Sequence, residues 1–157
     1  MKAAIVVHSQ SGNTAAFAAD ISECLKARGV DTEIHLLRTV GIVKPAKKDI
    51  QFKREIDLTP YDTVFLGCPV WAFSASNVMN AFLKLIPSLK GKKAAAFITH
   101  GLPFTFMGAN QALKSINETL DLMMAEVIPG ETQLCLLGYN KKQGKLKAEA
   151  LAARVVS

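Results

Sequence analysis

The sequence is poor in cysteine, tyrosine and tryptophan, and it has no long apolar run. Its three cysteines, Cys24, Cys68 and Cys135, lie far apart. They form no C-x-x-C pair and match no zinc spacing, which argues against a disulfide framework or a metal site. Reduced, mostly buried thiols are expected instead. No stretch approaches the roughly 20 apolar residues that span a bilayer. The N-terminus, with strand character from Ala3, lacks the layout of a secretory signal, so a cytoplasmic location is expected. No spacing supports a Ser-His-Asp constellation or a covalent nucleophile. Charged residues make up only 20% of the chain against 50% hydrophobic ones, a balance that suits a packed globular protein. With 157 residues, one domain spanning 1–157 can bury a core without staples.

The charge that is present is uneven. The net charge is +6, and six of the nineteen basic residues fall between Arg38 and Arg54, with four more, Lys141, Lys142, Lys145 and Lys147, near the C-terminus. Such runs are either solvated surface or a face that steers acidic partners. Nucleic acid is not an expected partner, because no motif is present and no aromatics interleave the lysines.

The most informative stretch is His8-Ser9-Gln10-Ser11-Gly12-Asn13-Thr14. It follows the continuous apolar run Ala3 to Val7, of the kind found in parallel strands covered on both faces. It leads into a predicted helix, Thr14 to Arg28, with Phe17, Ile21 and Leu25 at helical spacing and Gly29 as its stop. A polar turn between strand and helix gathers unpaired N–H groups where the helix dipole is positive, which is the recipe for an anion site. Gly12 permits the tight turn, and Ser9, Ser11, Asn13 and Thr14 add neutral donors. The loop contains no Lys or Arg, and neither a Walker nor a dinucleotide glycine spacing is present. A terminal phosphate held by neutral donors is one reading; a plain turn with an N-cap is the other.

Further along, Thr32 to Leu37 alternates as an edge strand would, and His35 within it needs no function. Residues 38–62, broken by Pro45 and Pro60, follow neither period, so the form of this crossover stays open. Predicted strands at Thr63–Cys68 and Ala94–Thr99 each run into an unusual loop. A last strand lies within Val127–Leu137, interrupted near Pro129-Gly130. Helices are predicted at Asn77–Ile86, about Ala109–Met124 and Gly144–Val155, the last with Leu146, Leu151 and Val155 as its apolar positions. Five strands alternating with helices imply an open α/β sheet, with the loops after residues 8, 68 and 99 meeting on one rim.

Together these loops resemble the flavodoxin-like family, over essentially the whole chain. The turn Ser9-Gln10-Ser11-Gly12-Asn13-Thr14 is similar to the family's [ST]-x-[ST]-G-N-T, Gly67-Cys68-Pro69-Val70-Trp71 matches its second loop, and the third loop matches more loosely. The resemblance implies a doubly wound five-stranded parallel sheet of order 2-1-3-4-5 with helices on both faces, and FMN as cofactor. It assigns the phosphate to Ser9, Gln10, Ser11, Gly12, Asn13 and Thr14. The isoalloxazine ring then falls to Pro69, Val70, Trp71, Ala72 and Phe73 on one side and Thr99, His100, Gly101 and Phe106 on the other. Trp71 would cover one ring face or, alternatively, fold into the core. Thr105 stands where many members stack a Tyr. His100 is either a proton donor near the flavin or a structural histidine.

Three functions are consistent with this reading. The first is an FMN redox protein carrying electrons between cytoplasmic partners. The second is an NAD(P)H-dependent flavin oxidoreductase acting on quinones or similar acceptors, with a monomer or homodimer as the unit. The third is a flavin-free binding module. The family's electron carriers are usually strongly acidic, whereas this chain has a pI of about 9.3; that argues against a standard low-potential shuttle docking on basic partners and leaves a shuttle whose partners are acidic.

Overall fold

A computed structural model describes residues 1–157. The elements run β1 (Lys2–Val7), α1 (Asn13–Ala27), β2 (Asp31–Leu36), β3 (Thr63–Trp71), β4 (Ser74–Ala75), α2 (Asn77–Leu83), β5 (Lys93–His100), α3 (Ala109–Leu122), β6 (Glu126–Leu134) and α4 (Lys141–Val156). The main sheet has the order β2-β1-β3-β5-β6 and is parallel throughout, while β4 pairs antiparallel with the end of β3. Leaving aside that two-residue strand, this is the expected order 2-1-3-4-5.

Alternation along the central strands divides the interior into two cores. Ala3, Ile5 and Val7 of β1, Phe65 of β3 and Phe97 of β5 face α1 and α4, which contribute Phe17, Ile21, Leu25, Leu151 and Val155. Ala4, Val6, Val64, Leu66, Cys68, Ala96 and Ile98 face the other way, under α2, α3 and the β2–β3 crossover. Phe17 and Phe97 meet edge to face with centroids 5.5 Å apart. The ring of Phe97 also lies across Gly67, where a Cβ would stand 2.0 Å from it.

The structure departs from expectation in several places. In β2, Thr32 is buried and bonds the Ser22 hydroxyl, whereas Ile34 is 40% exposed, so the edge position is as expected but the inward face is carried by Thr32. Residues 37–62 contain no helix. They form a loose excursion stitched by Val40 N–H to Gln51 O, Lys53 N–H to Arg38 O and an antiparallel bridge between Thr39 and Phe52. Val43, Leu58 and Tyr61 pin it to the core. Helix α2 stops at Leu83, leaving Leu85 exposed and Ile86 buried in its place. In β6 the register shifts opposite Ala95 to Phe97, where Pro129 and Gly130 bulge without ending the strand. Helix α4 starts earlier than expected, at Lys141, and Leu146 lies on its exposed side. No helix is long and apolar enough to cross a membrane.

Candidate functional site

Strands β1, β3 and β5 are neighbours and parallel, so the loops after them share the carboxyl rim of the sheet. The first loop runs from His8 to Gly12. Gly12 is the N-cap of α1 at φ 92, a left-handed conformation that a side chain would resist, and the helix lacks a side-chain cap at that residue. The capping role passes to Ser9, whose Oγ accepts from the Ala15 N–H at 3.2 Å. Backbone N–H groups of Ser11, Gly12, Asn13 and Thr14 have no acceptor within the protein. They sit at the positive end of a 15-residue helix, as an anion cradle requires. Thr14, buried, shares a 2.7 Å hydrogen bond with Thr99 at the end of β5, which joins the first and third loops. If Thr99 donates, the Thr14 hydroxyl proton is free to point into the cradle.

The second loop is shorter than its sequence suggests. β3 continues through Pro69 and Val70 to Trp71 and turns back at once, with Val70 opposite Ala75 and Trp71 opposite Ser74. The two turn residues, Ala72 at φ 50 and Phe73 at φ 62, are both left-handed, the geometry of a tight hairpin usually made by Asn-Gly. Phe73 projects outward, 64% exposed. Trp71 lies between the two expected alternatives: it packs against the α2/α3 core but is only half-buried.

Trp71 also has a neighbour that sequence reasoning did not single out. The His8 ring meets it edge to face at 4.8 Å and 87°. His8 Nδ1 lies 2.8 Å from Ser76 Oγ, which at the same time caps α2 by accepting from the Met79 N–H. Ser76 Oγ has a second lone pair and one proton, so it pairs with His8 Nδ1 in either tautomer of the ring. Burial lowers the His8 pKa from 6.5 to about 4. The ring is therefore neutral at pH 7. Cys68, on the same face, is fully buried with its thiol pushed up to about 11 by desolvation, which makes it inert. The signal for His8 was its place at the end of an all-apolar strand, where a histidine must bury its ring.

The third loop is anchored at both ends. His100 Nδ1 donates to Leu102 O at 2.8 Å, and Gly101 follows on the surface. At the far end, Gly108 has φ +112, and a Cβ there would come within 2.7 Å of Val70 Cγ1 and 2.8 Å of the Phe73 backbone. A glycine is needed there for conformation and for space, and the second and third loops touch through it. Phe104 and Phe106 stack on each other, 5.4 Å apart and 8° from parallel, and are 57% and 66% exposed. Thr105 is occupied by the Asn110 amide at 3.2 Å. Gln133, fully buried beside Thr99 in the register, leaves its Oε1 without a partner.

A family model described as Flavodoxin matches residues 39–137, more than half of the chain. The match begins after the first loop, so the reading of Ser9 to Thr14 rests on that loop's own geometry. A flavodoxin of Megasphaera elsdenii is 33% identical over 100 residues, covering 62% of this chain; the chain spans 64% of that relative's length. Among solved structures, the flavodoxin of Streptococcus pneumonia TIGR4 superposes with a TM-score of 0.75 at 17% identity, over 99% of this chain and 98% of that one. A flavoprotein from Lactobacillus acidophilus NCFM, solved in complex with FMN, gives a TM-score of 0.65 at 21% identity, over 83% of this chain and 92% of that one.

Proposed function

The chain belongs to the flavodoxin family, and from that premise we propose that it is an FMN-binding redox protein that carries electrons between cytoplasmic partners. The observation that carries this reading is the set of unpartnered N–H groups from Ser11 to Thr14 at the head of α1, closed by the Thr14–Thr99 pair. These groups fit a phosphate dianion without a basic side chain, through helix-end donors and neutral hydroxyls.

When bound, FMN supplies a ring that accepts and gives up electrons; the protein supplies position and surroundings. Ser11, Gly12 and Asn13 offer backbone donors to the phosphate, and Gln10 and Ser9 complete the loop. Pro69 to Phe73 form one wall for the ring, with Trp71 braced edge to face by His8. Thr99 to Gly101 and Phe106 form the other. We assign His100 to fastening the third loop, since its Nδ1 proton is committed to the Leu102 carbonyl. Three free, buried cysteines accord with a reducing compartment.

A second reading has one observation in its favour. Phe104 and Phe106 stack on each other, so Phe106 would flank the second ring face rather than lie across it, and an open face suits hydride transfer from NAD(P)H. Steady-state oxidation of NADPH with a quinone, without an added reductase protein, would support this oxidoreductase over the carrier. For the cofactor itself, the test is titration of the purified protein with FMN and with riboflavin, followed by visible absorbance and Trp71 fluorescence. FMN is expected to bind far more tightly. Equal affinities would refute the phosphate cradle, and no binding of either would refute the flavin reading.

A further inference from the structure

Nine of the nineteen basic side chains of this protein are tied down; of the ten that are not, six lie together between residues 38 and 54, and the other four, Lys26, Lys84, Lys90 and Lys142, are scattered. Lys2, Arg28, Lys114, Lys141, Lys145 and Arg154 are all in ion pairs. Lys92, Lys93 and Lys147 donate to backbone carbonyls. Three of the four C-terminal lysines are thus already engaged within the molecule. By contrast Arg38, Lys44, Lys47, Lys48, Lys53 and Arg54 are all exposed, and none has an acidic partner. Between residues 38 and 48 there are four cations and no carboxylate.

This segment is held beside the rim. It leaves the carboxyl end of β2, where Leu37 N–H bonds Val7 O. The Asn77 amide then donates to Lys44 O at 3.0 Å and to Lys47 O at 2.9 Å, and Val43 is buried beneath. Asn77 directly follows Ser76, the residue that bonds His8 beside Trp71. One short side chain therefore ties the cationic turn to the wall of the site. Within the segment Val40 is 53% and Ile42 83% exposed, and Phe73, four residues before Asn77, is 64% exposed. Apolar groups ringed by unpaired charges of one sign have the anatomy of a transient docking surface, and the charges select the opposite sign in the partner.

We infer that the face formed by residues 38–48 with Phe73 docks a redox partner protein whose surface is acidic, bringing that partner's redox centre to the rim beside Trp71. The inference rests on the carrier reading above and specifies the partner for it. Long-range attraction of this kind raises the association rate and fades with salt.

The test uses the FMN-loaded protein and, as probe, a plant-type [2Fe–2S] ferredoxin with a strongly acidic surface. Binding is measured calorimetrically over a range of salt concentrations. One variant is K44E/K47E/K48E; the control, K26E/K84E/K90E, makes the same charge change with exposed lysines at the amino end of the sheet. The first should weaken binding by about tenfold or more at low salt and flatten its salt dependence, whereas the control should change it by less than about twofold. Equal weakening in both would mean that only net charge matters and would overturn the inference, as would absence of ferredoxin binding to the parent. Loss of direct NADPH oxidation in the loop variant, with ferredoxin binding unchanged, would give the segment to a small phosphate ligand and also overturn it. A colourless protein that still binds ferredoxin through the loop would remove the cofactor reading and leave the docking face standing. A yellow protein without loop-specific binding would do the reverse.

Discussion

Replacing His8 by Phe should remove a large part of the protein's sensitivity to mild acid. The His8 ring is 7% exposed, and burial lowers its pKa from 6.5 to about 4. In the unfolded chain the imidazole takes up a proton near 6.5, and in the folded protein only near 4. Between those values the unfolded state binds more protons, so stability falls as pH falls from about 6.5 towards 4 and is fully present above that window. A shift of this size corresponds to roughly 3 kcal/mol, and allowing for relaxation around the protonated ring about 2 kcal/mol is the working figure. Phe keeps an aromatic edge beside Trp71 but cannot titrate. The assay is urea unfolding of the flavin-free protein at pH 7, 5.5 and 4.5, followed by the fluorescence of Trp71, the chain's one tryptophan. His35, whose pKa is also lowered by burial, contributes alike in both proteins. The readout is therefore the difference between them: the parent should lose about 2 kcal/mol more than His8→Phe over this range. Parallel pH profiles would refute the reasoning.

Other substitutions test other joints of the site. Thr14→Ala should weaken FMN binding by about 1.5–3 kcal/mol, the value of a hydrogen bond to a charged group, and leave riboflavin binding nearly unchanged; titration of both ligands checks it. Gly108→Ala forces a Cβ onto a backbone at φ +112 and against Val70 and Phe73, so a loss of about 2–4 kcal/mol is expected in urea unfolding. Asn77→Ala removes two hydrogen bonds to the 44–47 turn. It should cost about 1–2 kcal/mol, with faster amide exchange at Val40, Lys47 and Lys53 and no change at Val64.

The parts of this protein legible from sequence are those whose causes are local. The buried strand β1, the polar turn and the amphipathic α1 follow one another within the first 27 residues, and both periodicity and turn chemistry announce them. The crossover was not readable because what holds it is distant: Asn77 reaches it from more than 30 positions away, and Val43 is fixed by the far core. The hairpin after Trp71 was hidden for a different reason. Ala72 and Phe73 are poor formers of a left-handed turn, and the conformation is imposed by packing against Gly108. Likewise a histidine at the end of an apolar strand looks like the start of a loop until Ser76, brought in from 68 residues away, shows where its ring is held. Spacing alone places Leu146 inward and runs the second helix on to Ile86, but it cannot tell how far a helix extends or which arc its neighbours cover.

The crossover without a helix also bears on how the chain reaches this structure. In the carboxyl-terminal half, α2 and α3 occupy the connections between β3, β5 and β6, so each parallel pairing there can be shortened by a helix that forms locally. Between β2 and β3 no helix takes up the slack. The β1–β3 pairing must meet the closure entropy of residues 37–62 as a flexible loop, and the logarithmic form of that entropy makes the cost nearly insensitive to a few residues more or less. The seam between β1 and β3 is thus where two locally organised halves of the sheet are expected to join late in folding, and closure entropy sets little limit on the length of the segment that spans it.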